Sequence, residues 1–239
     1  MALTKKNIID KKFYIENGFL IKKIFNNKEK KILEEFAKNW IYKLTKIKYK
    51  DRKEFPLTKY HIWSKKLKLN HSEICYSKKR YIYPNHQIKK IILKNIQIKN
   101  FLTSINVKKY KIWDDGWGWL GFRLIRPKKN DGYPFSRKEW GVAKNVISCW
   151  CPIIGLTKKE TLSLIKKSHK KNYDNYLPKN SKFTKGEFRL SKKYKNIKIF
   201  NPNLHNNEII FYDPRLLHSE NTQKNKITRL NLEFRFNPL

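Results

Sequence analysis

The sequence predicts a mainly β domain with flanking helices, folded as a sandwich or jelly roll. Two observations carry that expectation. Helical apolar spacing is confined to the first 105 residues, and short strand-like runs separated by turn-rich segments fill residues 106–239. Short strands with long connections suit antiparallel packing rather than a doubly wound parallel sheet, and no P-loop, dinucleotide glycine motif or internal repeat competes. A chain of 239 residues supports one substantial core. A single domain over 1–239 is therefore expected, with a helical region over residues 1–105 packed on a β-rich core over residues 106–239.

Taken in order, residues 13–45 read as a short helix or turn, a brief strand and a longer helix. Gly18 supplies the turn before a strand at Phe19 to Ile24, and Asn26 or Asn27 caps the helix that follows. Ile32, Phe36, Trp40 and Tyr42 or Leu44 recur at helical spacing, as a core-facing stripe would, with lysines between them in water. Residues 50–88, punctuated by Pro56 and Pro84, are irregular. A second helix is expected over 86–104, carrying Ile91, Ile92, Ile96, Ile98 and Phe101. Strands are expected at Tyr110 to Trp113, Gly118 to Ile125, Val142 to Ile154, Ile197 to Phe200, Glu208 to Tyr212 and Thr228 to Phe236.

The formal charge is +37, built from 47 lysines and nine arginines against 19 acidic residues. Such a surface attracts phosphates, acidic glycans or an anionic membrane face, so peripheral contact with an anionic surface is open to it. The excess is lysine spread in short pairs, a less directional charge than the arginine forks used to read bases, and no recognition-helix or paired aromatic RNA-binding motif accompanies it. Specific nucleic-acid binding is not expected, and the Asn-Lys richness also fits a compositional bias with no binding role. A hydrophobic content of 39% with 14 Phe, 13 Tyr and 7 Trp argues for a folded core despite a mean hydropathy of -0.77. Cys75, Cys149 and Cys151 form no Cys-x-x-Cys pair, which argues against a disulfide framework or zinc ribbon. The start MALTKKNIID has no hydrophobic signal core and no run reaches the ~18 apolar residues a membrane span needs, so a cytoplasmic protein is expected.

The richest stretch is FYDPRLLHSENTQKNKITRLNLEFRF, residues 211–236, in which His218 precedes Arg229 by eleven residues. A histidine at a strand end can present a ring nitrogen to a metal or a proton. In the next strand Leu230, Leu232, Phe234 and Phe236 share one face and Arg229, Asn231, Glu233 and Arg235 the other. Inside a barrel that polar row supplies a charged network in which Arg229 can hold a carboxylate bidentately, with Thr228 or Asn231 assisting.

This region resembles the carboxy-terminal core of the iron(II) and 2-oxoglutarate-dependent dioxygenases, the phytanoyl-CoA dioxygenase-like group in particular. FYIENGFLIKKIF is similar to that group's amino-terminal entry, and VISCWCPIIGLTKKETLSLIKKSHKK, residues 146–171, to its strand, acidic turn and Ser-His-Lys segment. The resemblance implies a cupin-like double-stranded β-helix, with iron(II) and 2-oxoglutarate as cofactors and substrate hydroxylation as the activity, and the aromatic and basic inventory suits a polar, anionic or sugar-containing small molecule as the substrate. It implies His218 as the distal iron ligand and Arg229 as the residue that holds the far carboxylate of 2-oxoglutarate. The family's His-x-Asp or His-x-Glu element follows an Arg-Pro strand, and here GFRLIRPKKNDGYPFSRKEWG, residues 121–141, has Ser136, Arg137 and Lys138 at that place. Serine is a poor substitute for imidazole and an ammonium cannot ligate as a carboxylate does. Glu139, through a shifted register, and Asp131 are the carboxylates that remain to join His218 at a metal. Arg123, Trp119, Tyr133 and His169 are the expected substrate-facing residues. The alternative reading is a catalytically degenerate dioxygenase fold that binds an anionic ligand or a partner protein without iron chemistry.

Overall fold

The computed structural model describes residues 4–114, 116–140, 144–157, 160–178, 188–205, 207–220 and 225–239. Among the described residues the α-helices are α1 (Lys5–Asn17), α2 (Asn27–Thr45), α3 (Tyr60–Lys66), α4 (His71–Tyr76), α5 (His86–Leu93) and α6 (Ile96–Ser104). The strands are β1 (Phe19–Lys23), β2 (Tyr81–Ile82), β3 (Tyr110–Ile112), β4 (Leu120–Ile125), β5 (Ile147–Ile154), β6 (Leu162–Leu164), β7 (Asn175–Tyr176), β8 (Arg189–Leu190), β9 (Glu208–Tyr212), β10 (His218–Glu220) and β11 (Arg229–Pro238).

A main antiparallel sheet runs β1-β9-β5-β11-β4-β2, with β3 on the far end of β11. Facing it is the pair β6-β10, the small ribbon β7-β8 is separate, and no strand pairing joins either to the main sheet among the described residues. Helices occupy at least as much chain as strands. The architecture is thus a helical layer on a β core, as the expected flanking helices require, although the sheets are not closed into a barrel among the described residues and helix exceeds strand. Two strands of the main sheet, β1 and β2, come from the helical first 105 residues.

The larger core lies between the helices and the main sheet. Leu33, Ala37 and Ile41 of α2, Ile88 and Ile92 of α5, and Ile98 and Phe101 of α6 pack with Phe122, Leu124, Leu230, Leu232, Phe234 and Phe236. α2 begins with a capping box in which Asn26 accepts from the Glu29 backbone and Glu29 from that of Asn26. Its buried apolar residues are Leu33, Ala37, Ile41 and Tyr42, so Tyr42 of the predicted face is in the core while Ile32, Phe36, Trp40 and Leu44 flank it half-buried. The predicted 86–104 helix is two helices, because the Asn95 side chain accepts from the Gln97 and Ile98 amides and starts α6 afresh.

On the other side of the main sheet a smaller core gathers Phe19, Trp150, Ile210 and Tyr212 against Leu162, Leu164 and Leu216. Residues 142 and 143, the start of one predicted strand, lie outside the described residues, and β5 begins at Ile147. The predicted 197–200 strand contributes one bridge, Phe200 to Leu164. No helix among the described residues is long and apolar enough to cross a membrane.

Candidate functional site

β11 divides its side chains as alternation requires. Its leucines and phenylalanines enter the helical core, and Arg229, Asn231, Glu233 and Arg235 turn to the space between the sheets. β4 adds Arg123, which stands opposite Asn231 in the β11 register, and β5 adds Trp150. From the facing side β10 presents His218 and Glu220. Ser136 pairs with His218 through reciprocal backbone hydrogen bonds of 3.0 and 3.1 Å, which brings the segment holding Lys138 alongside.

Glu220 is the first hub of this space. Arg123 Nε lies 2.8 Å from its Oε2, Trp150 Nε1 donates to Oε1 at 3.1 Å, and Arg229 Nη2 stands 3.6 Å from Oε1. Arg229 is fully buried, rests over the Trp150 ring and donates through Nη1 to the Glu160 carbonyl. The Arg123 guanidinium lies 4.8 Å from the Tyr133 ring centroid. Glu233 is the second hub, 3.3 Å from Lys138 Nζ and 3.6 Å from Arg235 Nη2. Burial opposes its ionisation, yet Lys138, Arg123 and Arg235 together hold its carboxyl well below the usual carboxylate range.

His218 Nδ1 is 2.8 Å from the Leu216 carbonyl, so that nitrogen carries the proton and donates, leaving Nε2 with its lone pair. The ring packs 4.7 Å from Tyr212. Burial first, and the Lys138 charge second, pull its pKa down to about 3. Among the described residues the inter-sheet space therefore holds four cationic side chains (Arg123, Lys138, Arg229, Arg235) against two carboxylates (Glu220, Glu233), with a neutral imidazole between. Arg123 Nη1, Arg229 Nε and both polar atoms of the fully buried Asn231 have no hydrogen-bond partner among the described residues.

Arg229, Asn231, Arg123, Tyr133 and His218 thus border one space. The other residues singled out from sequence are engaged elsewhere. Thr228 is on the opposite face of β11, its hydroxyl against the His61 amide and Nδ1. Asp131 is clasped by Arg126 and His71, and Glu139 pairs with Arg137 at 2.9 Å. Trp119 lies under Lys89 and donates to Asp114. His169 Nε2 meets the Ile15 carbonyl, and its ring lies against Gly18. Glu220 and Trp150 were not singled out from sequence. Glu220 was recoverable from its place two residues beyond His218, on the same strand face.

No family model and no curated protein sequence matches the chain. Solved structures do. The non-heme alpha ketoglutarate dependent carbocyclase SnoK from nogalamycin biosynthesis superposes over 99% of this chain and 85% of its own, with TM-score 0.64 and 12% identity. The non-heme alpha ketoglutarate dependent epimerase SnoN matches over 98% and 83%, with TM-score 0.59 and 9% identity. EvdO2 from Micromonospora carbonacea var. aurantiaca, solved with 2-oxoglutarate, matches over 100% and 92%, with TM-score 0.60 and 11% identity. The chain has the fold of the non-heme alpha ketoglutarate dependent oxygenases.

The metal which that fold implies does not fit the residues present. A divalent cation beside His218 meets the Ser136 hydroxyl and the Lys138 ammonium, one a weak donor and the other a repelling charge. Among the described residues no group of three or more His, Cys, Asp or Glu is arranged to hold a metal ion.

Proposed function

We propose that this chain is a catalytically degenerate dioxygenase fold, an opened double-stranded β-helix, that binds a small anionic ligand between its sheets without iron chemistry. The supporting observation is that buried guanidinium nitrogens of Arg123 and Arg229 and both polar atoms of Asn231 have no hydrogen-bond partner among the described residues, in a space where cations outnumber carboxylates. A buried guanidinium edge left without an acceptor costs about 1–3 kcal/mol, and an oxyanion supplies the acceptors. With four cationic side chains against two carboxylates among the described residues, an anion needs no metal to attract it.

The test is calorimetric titration of chelator-treated full-length protein with succinate, 2-oxoglutarate and inorganic phosphate. Saturable binding is expected, unchanged by added iron(II) and weakened at least about tenfold by Arg229→Gln or Asn231→Leu. Iron-dependent release of succinate from 2-oxoglutarate would overturn the proposal.

A further inference from the structure

A second concave basic site lies outside the inter-sheet space. His61, Ser64, Lys65, Lys68, Arg126 and Lys129 line a cleft of about 480 Å³ where α3 and the turn after it meet the end of β4. The size is that of a small-molecule site rather than of a track for a polymer.

Its floor is built rather than incidental. Asp131, 2% exposed, receives Arg126 Nε at 2.8 Å, Arg126 Nη2 at 2.8 Å and the Arg126 amide at 2.9 Å, and His71 Nε2 stands 3.3 Å from the same carboxylate. That clasp fixes the plane of the Arg126 guanidinium at the cleft. Lys65, Lys68 and Lys129 around it are exposed and make no ion pair with a carboxylate among the described residues. No acidic residue lines the cleft, whereas the larger groove beside α2 has Glu34 and Glu35 in its wall. In the cleft at Lys166, Lys167 and Lys198, the Lys167 charge is already paired with Glu16.

We propose that this cleft binds the phosphate or pyrophosphate group of a small phosphorylated ligand. Arg126 acts as the fixed fork and Lys65, Lys68 and Lys129 as point charges closing on the oxygens. Asp131 is a positioning residue for Arg126. Apart from the His61 ring the lining offers no aromatic face on which a base could stack, so recognition rests on the phosphate group and not on a strand of nucleic acid.

The experiment is calorimetric titration of the full-length protein with inorganic pyrophosphate at about 0.15 M salt, where diffuse surface attraction is screened beyond ~8 Å. One pyrophosphate per chain is expected at the cleft. Lys65→Gln/Lys68→Gln/Lys129→Gln, which leaves the Arg126–Asp131 clasp intact, should weaken it at least about tenfold, and Arg126→Gln should do likewise. Lys5→Gln/Lys12→Gln/Lys31→Gln, exposed charges elsewhere, should change it less than about twofold. Equal losses in both lysine triples would reduce the site to diffuse charge and overturn the proposal. Loss in Arg229→Gln with none in the cleft triple would move pyrophosphate to the inter-sheet space and overturn it too. If the cleft triple loses affinity for a single-stranded oligonucleotide but not for pyrophosphate, the ligand class is wrong.

Discussion

The Lys138 ammonium stands 3.3 Å from the Glu233 carboxylate, two residues beyond the serine that pairs across the sheet with His218. A protein side chain thus supplies a cation beside the segment that pairs with His218. Coulomb repulsion at short range in a poorly solvated space weighs against adding a divalent ion there.

Reversing that arrangement should restore a metal site. Ser136→His with Lys138→Asp puts an imidazole opposite His218 and a carboxylate in place of the ammonium, the donor set of a facial triad. The folded double variant is expected to bind cobalt(II) with a visible ligand-field band that the parent protein lacks and that a further His218→Ala removes. A folded variant with no such band would show that the Ser136–His218 face is not where a metal can sit.

Removing only the ammonium should cost stability. In Lys138→Met the Glu233 carboxylate keeps Arg235 at 3.6 Å but loses its closest cation while staying nearly buried. A loss of about 1–3 kcal/mol is expected in urea unfolding, and the double variant Lys138→Met/Glu233→Gln should recover part of it, because the carboxylate left without its closest cation is then removed as well. A single variant as stable as the parent would mean that the pair contributes nothing.

Local chemistry explains how much of the fold and site was legible in sequence. The strict alternation of residues 228–236 placed Arg229, Asn231 and Glu233 on one face, and that face does border the inter-sheet space. Asn26, one of the two caps the sequence offers, starts α2. The split at Asn95 was hidden because isoleucines keep helical spacing on both sides of it, so periodicity outweighed the cap. Asp131 looked free to ligate because its captors are out of view: His71 is sixty residues away, and Arg126 reaches it only because the chain turns after β4. Partners made by tertiary folding leave no trace in local spacing.

Gly155 tests how the start of β11 is held. Its φ is +72°, and a Cβ there would run into the Thr228 carbonyl and lie 3.1 Å from the Arg229 Cα. Gly155→Ala combines left-handed strain with a backbone collision, and both are relieved only by moving the residues that position the Arg229 guanidinium. We expect a loss of about 1–3 kcal/mol together with weaker succinate binding, read by thermal unfolding and calorimetry on one preparation. Weaker unfolding resistance with unchanged ligand affinity would separate the turn from the site.

The buried imidazole makes stability depend on pH in a defined window. His218 has its pKa drawn down to about 3 by burial and then by Lys138, whereas an unfolded chain titrates near ~6.5. The folded value is the lower one, so the stability that comes from keeping the ring neutral is complete above the unfolded pKa. It is lost as pH falls from about 6.5 toward about 3, since the unfolded chain then takes up a proton that the folded chain refuses. The slope attributable to this one ring approaches about 1.4 kcal/mol per pH unit. His218→Asn keeps a donor for the Leu216 carbonyl but removes the titration. Urea midpoints at pH 7, 6 and 5 should therefore fall less steeply in the variant, even if it is less stable at neutral pH. Parallel slopes for the two proteins would mean that the ring takes up its proton in the folded state, through a rearrangement around Lys138 and Glu233.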